Sequence, residues 1–113
     1  MSERTAYKVM TGEAFAAMRR EGLFRGSAVD LADGFIHLST AAQLTATVDK
    51  HFHGQAGLVV AAVDLTRLAE AVRWERSRGG DLFPHLYAPL PMDDVTAVGP
   101  LERAADGAVV PPG

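Results

Sequence analysis

The sequence predicts an α+β domain: a small, mostly antiparallel sheet with two main helices. Three observations carry this. Apolar spacing of helical period, with start and stop signals, appears in two early segments, residues 11–22 and 40–52. The other apolar residues fall in short runs of strand length, separated by Gly-, Asp- and Ser-containing breaks. A chain of 113 residues is long enough for one core and too short for two.

Taken in order, "AYKVM" (6–10) reads as a first strand. In "TGEAFAAMRREG" Thr11 is a helix N-cap, and Phe15, Met18 and Leu23 supply the apolar stripe. Glu13 lies early, Arg19 and Arg20 late, as the helix dipole favours, and Gly22 is a natural stop. "FRGSAVDLADG" (24–34) reads as a loop closed by the Asp33-Gly34 turn signal, and "FIHLS" as a second strand. Thr40 and Gln43 have capping-box spacing at the head of a second helix, whose stripe is Leu44, Val48 and Phe52. "LVVAAVDL" is apolar enough to be a central strand covered on both faces. A helical turn at 66–71, strands at "VRWER" and "HLYA" joined by a flexible "SRGGD", and a closing strand at "VTAVGPLE" follow. A single domain is expected over 1–103, with 104–113, small and Pro/Gly-rich, as a disordered tail.

Composition excludes several functions. The net charge of −3 provides no basic field for gathering phosphates, so no nucleic-acid partner is expected, and Arg73, Arg76 and Arg78 read as a solvated edge. With no cysteine there is no disulfide, thiol nucleophile or thiolate metal site. That fits a reducing cytoplasm. No secretory signal is visible at the start, and no apolar run approaches the roughly 20 residues of a membrane helix, so no membrane partner is expected. Phosphate loops, dinucleotide fingerprints and serine elbows are absent.

The four histidines carry what remains. Two of them sit in matching Phe-x-His-Leu settings, Phe35 to Leu38 and Phe83 to Leu86. Alternation along a strand puts His37 and Ser39 opposite Ile36 and Leu38, His85 and Tyr87 opposite Leu86, and Arg73 and Glu75 opposite Val72 and Trp74. If these strands neighbour one another, the polar sets line a single face with two imidazoles, a carboxylate, a guanidinium and hydroxyls. The plainer reading makes each histidine a half-buried structural residue, Thr40 and Gln43 a cap, and Trp74 core. His51 and His53 share a side in an extended segment, but at a helix end they also suit the dipole, and no metal is expected there.

Together, "DGFIHLST", Gln43, Thr47, "VRWE" and "FPHLYAPL" resemble a bacterial family known as domain-of-unknown-function family 952, over residues 7–101. The resemblance implies an ADP-ribosylation-like fold, a split sheet around a cleft that holds NAD in the active enzymes. It implies no resident cofactor, with NAD as a substrate. Transferases of that fold combine a histidine on a ribose hydroxyl, an aromatic against nicotinamide, and a glutamate that steadies an oxocarbenium-like transition state. On this sequence those parts are His37 and His85, then Tyr87 or Trp74, then Glu75, with Ser39 and Thr40 near an anion and Gln43 a further ligand contact. The expectation is a small-molecule ligand, NAD, ADP-ribose or a related nucleotide. The alternatives are a non-catalytic module that binds a small molecule or a protein, and a metal-dependent hydrolase on His37, His51, His53 and His85.

Overall fold

A computed structural model describes residues 4–77 and 79–113. Strand β1 (Thr5–Thr11) runs into helix α1 (Gly12–Glu21), with Thr11 capping Ala14 N–H and Gly22 closing the helix in a left-handed conformation, as expected. Leu23 leaves the helix and opens the two-residue strand β2 (Leu23–Phe24).

The segment 24–34 differs from the loop expected of it, because it contains helix α2 (Ala28–Asp33). Ser27 and Asp30 form a complete capping box, and the Asp33-Gly34 signal is the helix C-terminus, not a hairpin turn. Six residues make too little apolar periodicity to announce a helix, while the cap signal lies within one turn. Next come β3 (Ile36–His37) and α3 (Leu44–His51). Thr40 and Gln43 exchange the two capping-box hydrogen bonds (3.1 and 3.2 Å), yet they close a turn, and the helix begins only at Leu44.

Strand β4 (Leu58–Asp64) is the buried centre of an antiparallel sheet of order β1-β4-β8, where β8 is Val95–Pro100. Between them lie α4 (Leu65–Leu68), a 3-10 turn (Ala69–Ala71), β5 (Val72–Arg76), β6 (Leu82–Leu86), β7 (Leu90–Pro91) and a second 3-10 turn (Met92–Asp94). The β5–β6 connection is closed by Ser77 and Asp81. Arg78 within it lies outside the described residues. A second antiparallel sheet has the order β3-β6-β5, and β2 pairs with β7. The sheet is therefore divided, as expected, but among the described residues the helices number four and two are very short.

The central sheet is covered on both faces. Leu44 and Val48 of α3 pack with Val9, Leu58 and Val60 on one side. Met18 of α1 joins Ala6, Met10, Val63 and the inner residues of the second sheet, Ile36 and Leu86, on the other. The segment from 104, for which disorder was the expectation, turns back so that Val109 bridges Arg103 and is buried in the α3 cluster. Among the described residues no helix is long and apolar enough to cross a membrane.

Candidate functional site

The second sheet brings the two echoed histidines together. His37 of β3 is the direct cross-strand partner of His85 in β6, and His85 in turn faces Arg73 of β5. Because strand side chains alternate, Glu75, two residues on from Arg73, shares that face. The opposite face is apolar: Ile36, Leu86 and Val72 meet there and enter the core. The strand neighbours assumed from the sequence are the strand neighbours observed.

One half of the face centres on His85, which is only 5% exposed. Its Nδ1 lies 2.8 Å from Glu75 Oε1, and the Tyr87 hydroxyl donates to the same oxygen at 2.7 Å. These hydrogen bonds from Tyr87 and His85, with help from the charge on Arg73, hold the Glu75 carboxyl below its usual range. The same contact to Glu75 raises Tyr87 above the ordinary phenol value. The Arg73 guanidinium sits 4.9 Å from the Tyr87 ring centroid. Phe35 stacks on the His85 ring at 4.0 Å and 23°.

The other half centres on His37 and uses residues that strand alternation did not reveal. Its Nδ1 is 2.6 Å from Asp30 Oδ1 and its Nε2 is 2.9 Å from Asp33 Oδ2. Ionised carboxylates only accept, so both contacts are hydrogen bonds when both ring nitrogens carry protons. Asp30, 2% exposed, also accepts from the His37 and Ser27 backbone N–H groups and from Lys8 Nζ. Burial by itself would raise its carboxyl. The His37 bond, the Lys8 charge and the Ser27 N–H outweigh that and hold it well below the usual carboxylate range. Lys8 is lowered, mainly by burial and partly offset by Asp30. Its ammonium also donates to the His37 carbonyl at 3.1 Å, which ties β1 to β3.

The remaining sequence candidates are placed elsewhere. Trp74 pairs with Pro84 and so points to the opposite side of the sheet from His85, at 39% exposure. It is neither fully core nor beside the histidines. Ser39 is buried, bonded through Oγ to Thr47 at 2.8 Å, and its backbone bridges Tyr7. Thr40 is occupied by Gln43, whose amide also donates to the Leu82 carbonyl at 2.8 Å. Arg76 reaches the Gly80 carbonyl within its own hairpin. His51 ends α3 and His53 follows it, and among the described residues no group of three His, Asp or Glu side chains converges in the manner of a metal site.

Two signals would have found the missing members. Ser27-x-x-Asp30 is a capping box, which places Asp30 and Asp33 on one short helix. A lysine among apolar alternating residues, as Lys8 is, needs a buried counter-charge.

This geometry defines a small divided-sheet α+β domain with one polar, histidine- and carboxylate-lined sheet face. The chain belongs to the family described as "Protein of unknown function (DUF952)", whose model matches residues 9–98. It is similar to protein CC0527 from Caulobacter crescentus. The crystal structure of that protein superposes with a TM-score of 0.85 at 48% identity, covering 94% of this chain and 93% of the other. Its solution NMR structure gives 0.79 at 48% identity, over 93% and 90% of the two chains. No curated protein matches the chain.

Proposed function

We propose that the face carrying Glu75, His85, Tyr87 and Arg73 is a small-molecule site for a nucleotide of the NAD or ADP-ribose kind, in a domain of ADP-ribosylation type. The observation that supports it most is the convergence of His85 and Tyr87 on one oxygen of Glu75, which keeps a partly open carboxylate ionised. A fixed negative charge of this sort suits a sugar that develops positive charge as its glycosidic bond breaks. Arg73 offers the complementary charge for a phosphate, and the exposed Tyr87 ring offers an edge for a base. His37 packs against Phe35 and has both ring nitrogens engaged by Asp30 and Asp33, so it orders the wall rather than meeting the ligand.

A thermal-shift comparison with NAD, ADP-ribose and nicotinamide tests the reading. A ligand at a hundredfold over its Kd adds about 2.7 kcal/mol to the folded state, a readily measured rise in Tm. We expect that rise for wild type and its loss in both Glu75→Gln and His85→Ala. A flat response to every nucleotide favours a second reading, a protein-binding module. That reading draws on Val29 and Leu31 of α2, 63% and 65% exposed.

A further inference from the structure

We propose that His85 is the proton acceptor of this face, its Nε2 receiving a hydrogen bond or a proton from a ligand hydroxyl such as a sugar offers, and that His37 is a positioning residue only. The proposal rests on the ligand-site reading above.

The ring of His85 has one committed edge. Nδ1 meets Glu75 Oε1 at 2.8 Å, and an ionised carboxylate cannot donate, so Nδ1 carries the proton. In the neutral ring the lone pair is then on Nε2. Among the described residues Nε2 has no hydrogen-bond partner, although the side chain is 6% exposed, and it is not among atoms sealed from solvent. A buried imidazole with one nitrogen unpaired is costly unless that edge opens on water or a ligand. Phe35, stacked at 4.0 Å, fixes the ring plane, so the open edge points one way.

His37 contrasts with it at every point. Both of its ring nitrogens are taken, by Asp30 and Asp33. It stands 4.6 Å from the Phe35 centroid and therefore supports the ring that supports His85. The charged and titratable groups around His85 are Glu75 and Arg73 from β5, Tyr87 beyond β6, and His37 with its two aspartates from β3 and α2. Proton transfer is balanced locally: the ligand O–H bond breaks with its electron pair left on oxygen, an Nε2–H bond forms, and the new positive charge lies against Glu75.

The test is imidazole nitrogen NMR on uniformly labelled protein, in wild type and in Glu75→Ala, followed by addition of ADP-ribose. The expected result is an Nδ1–H tautomer at His85 in the neutral ring, lost in Glu75→Ala while the His37 signals stay in place. ADP-ribose should then move the His85 Nε2 resonance. An Nε2–H tautomer in wild type overturns the proposal, and so does a ligand shift confined to the His37 ring. If ADP-ribose moves nothing while His85 keeps its Nδ1–H tautomer, the nucleotide reading fails and the acceptor assignment stands.

Discussion

Asp30 is ionised inside the protein because Lys8, His37 and the Ser27 backbone all direct protons at it. Its counterpart Lys8 is equally enclosed, so removing the carboxylate leaves a buried ammonium without a counter-charge. We expect Asp30→Asn to cost about 3–5 kcal/mol at neutral pH, measured by denaturant unfolding. The pH dependence has a definite sign. The folded carboxyl is depressed below its unfolded value of about 3.9, so between the two values the unfolded chain binds more protons. Asp30 therefore stabilises fully above about pH 4, and that contribution fades as pH falls toward the folded value. The acid limb of a stability–pH curve should be shallower in Asp30→Asn than in wild type. Glu75 is shifted with the same sign, but it is open to solvent, and Glu75→Gln should leave that limb nearly unchanged. The Lys8 contacts of this network are not local: Lys8 reaches Asp30 across 22 residues and His37 across 29. Alternation pointed to the faces of His37 and Glu75, but only the docking of α2 supplied the aspartates.

At the level of elements, α2 does more than fill a connection. It delivers Asp30 and Asp33 to the two sides of one ring, and its entry depends on Gly26. That residue has φ +129, and a Cβ there would stand 2.9 Å from Asp30 Cβ. Gly26→Ala should lose about 1 kcal/mol or more in thermal unfolding and disturb the His37 signals in NMR, because the clash is with the aspartate itself. Ala69 shows the reverse case. It holds φ 46 and ψ −118 at the first residue of the 3-10 turn that follows α4, a conformation that costs a side chain about 1–3 kcal/mol. Ala69→Gly should raise stability by about 1 kcal/mol once the extra freedom of glycine in the unfolded chain is subtracted. A lower Tm would show that the turn is not strained. The two long-signalled helices and the central strand were legible from sequence because periodicity and caps act within a few residues. The two-residue strands β2 and β7 were not, since pairing with each other across the chain is all that makes them strands.

Across the whole molecule, two apolar clusters sandwich β4, and the chain's last segment closes one of them. Val109, 5% exposed, packs with Val9, Leu44, Val48, Leu58 and Val60, and its N–H donates to Thr45 Oγ1 at 2.9 Å. Val109→Ala should cost about 1.5 kcal/mol by lost burial, read as a reduced denaturant midpoint with an unchanged slope. An unaltered midpoint would mean that the segment contributes nothing to the core. The same architecture places the polar face on the outside of the smaller sheet, with the rigid core directly behind its strands. That arrangement suits a site whose side chains must hold their geometry without ligand.

The amino-acid sequence by itself determined the class of fold, the buried central strand, the helix caps at Thr11 and Gly22, and the side of each strand on which His37, His85 and Glu75 lie. These follow from periods of 3.6 and 2 and from cap chemistry, which are properties of neighbouring residues. The tertiary structure decided the rest: that β3, β6 and β5 are adjacent, that Trp74 is left partly exposed instead of in the core, and that Asp30, Asp33 and Lys8 meet around β3. Those facts depend on which surfaces meet when distant segments bury their apolar faces together. A buried charge is placed by where its partner can reach it, not by what stands beside it in the chain.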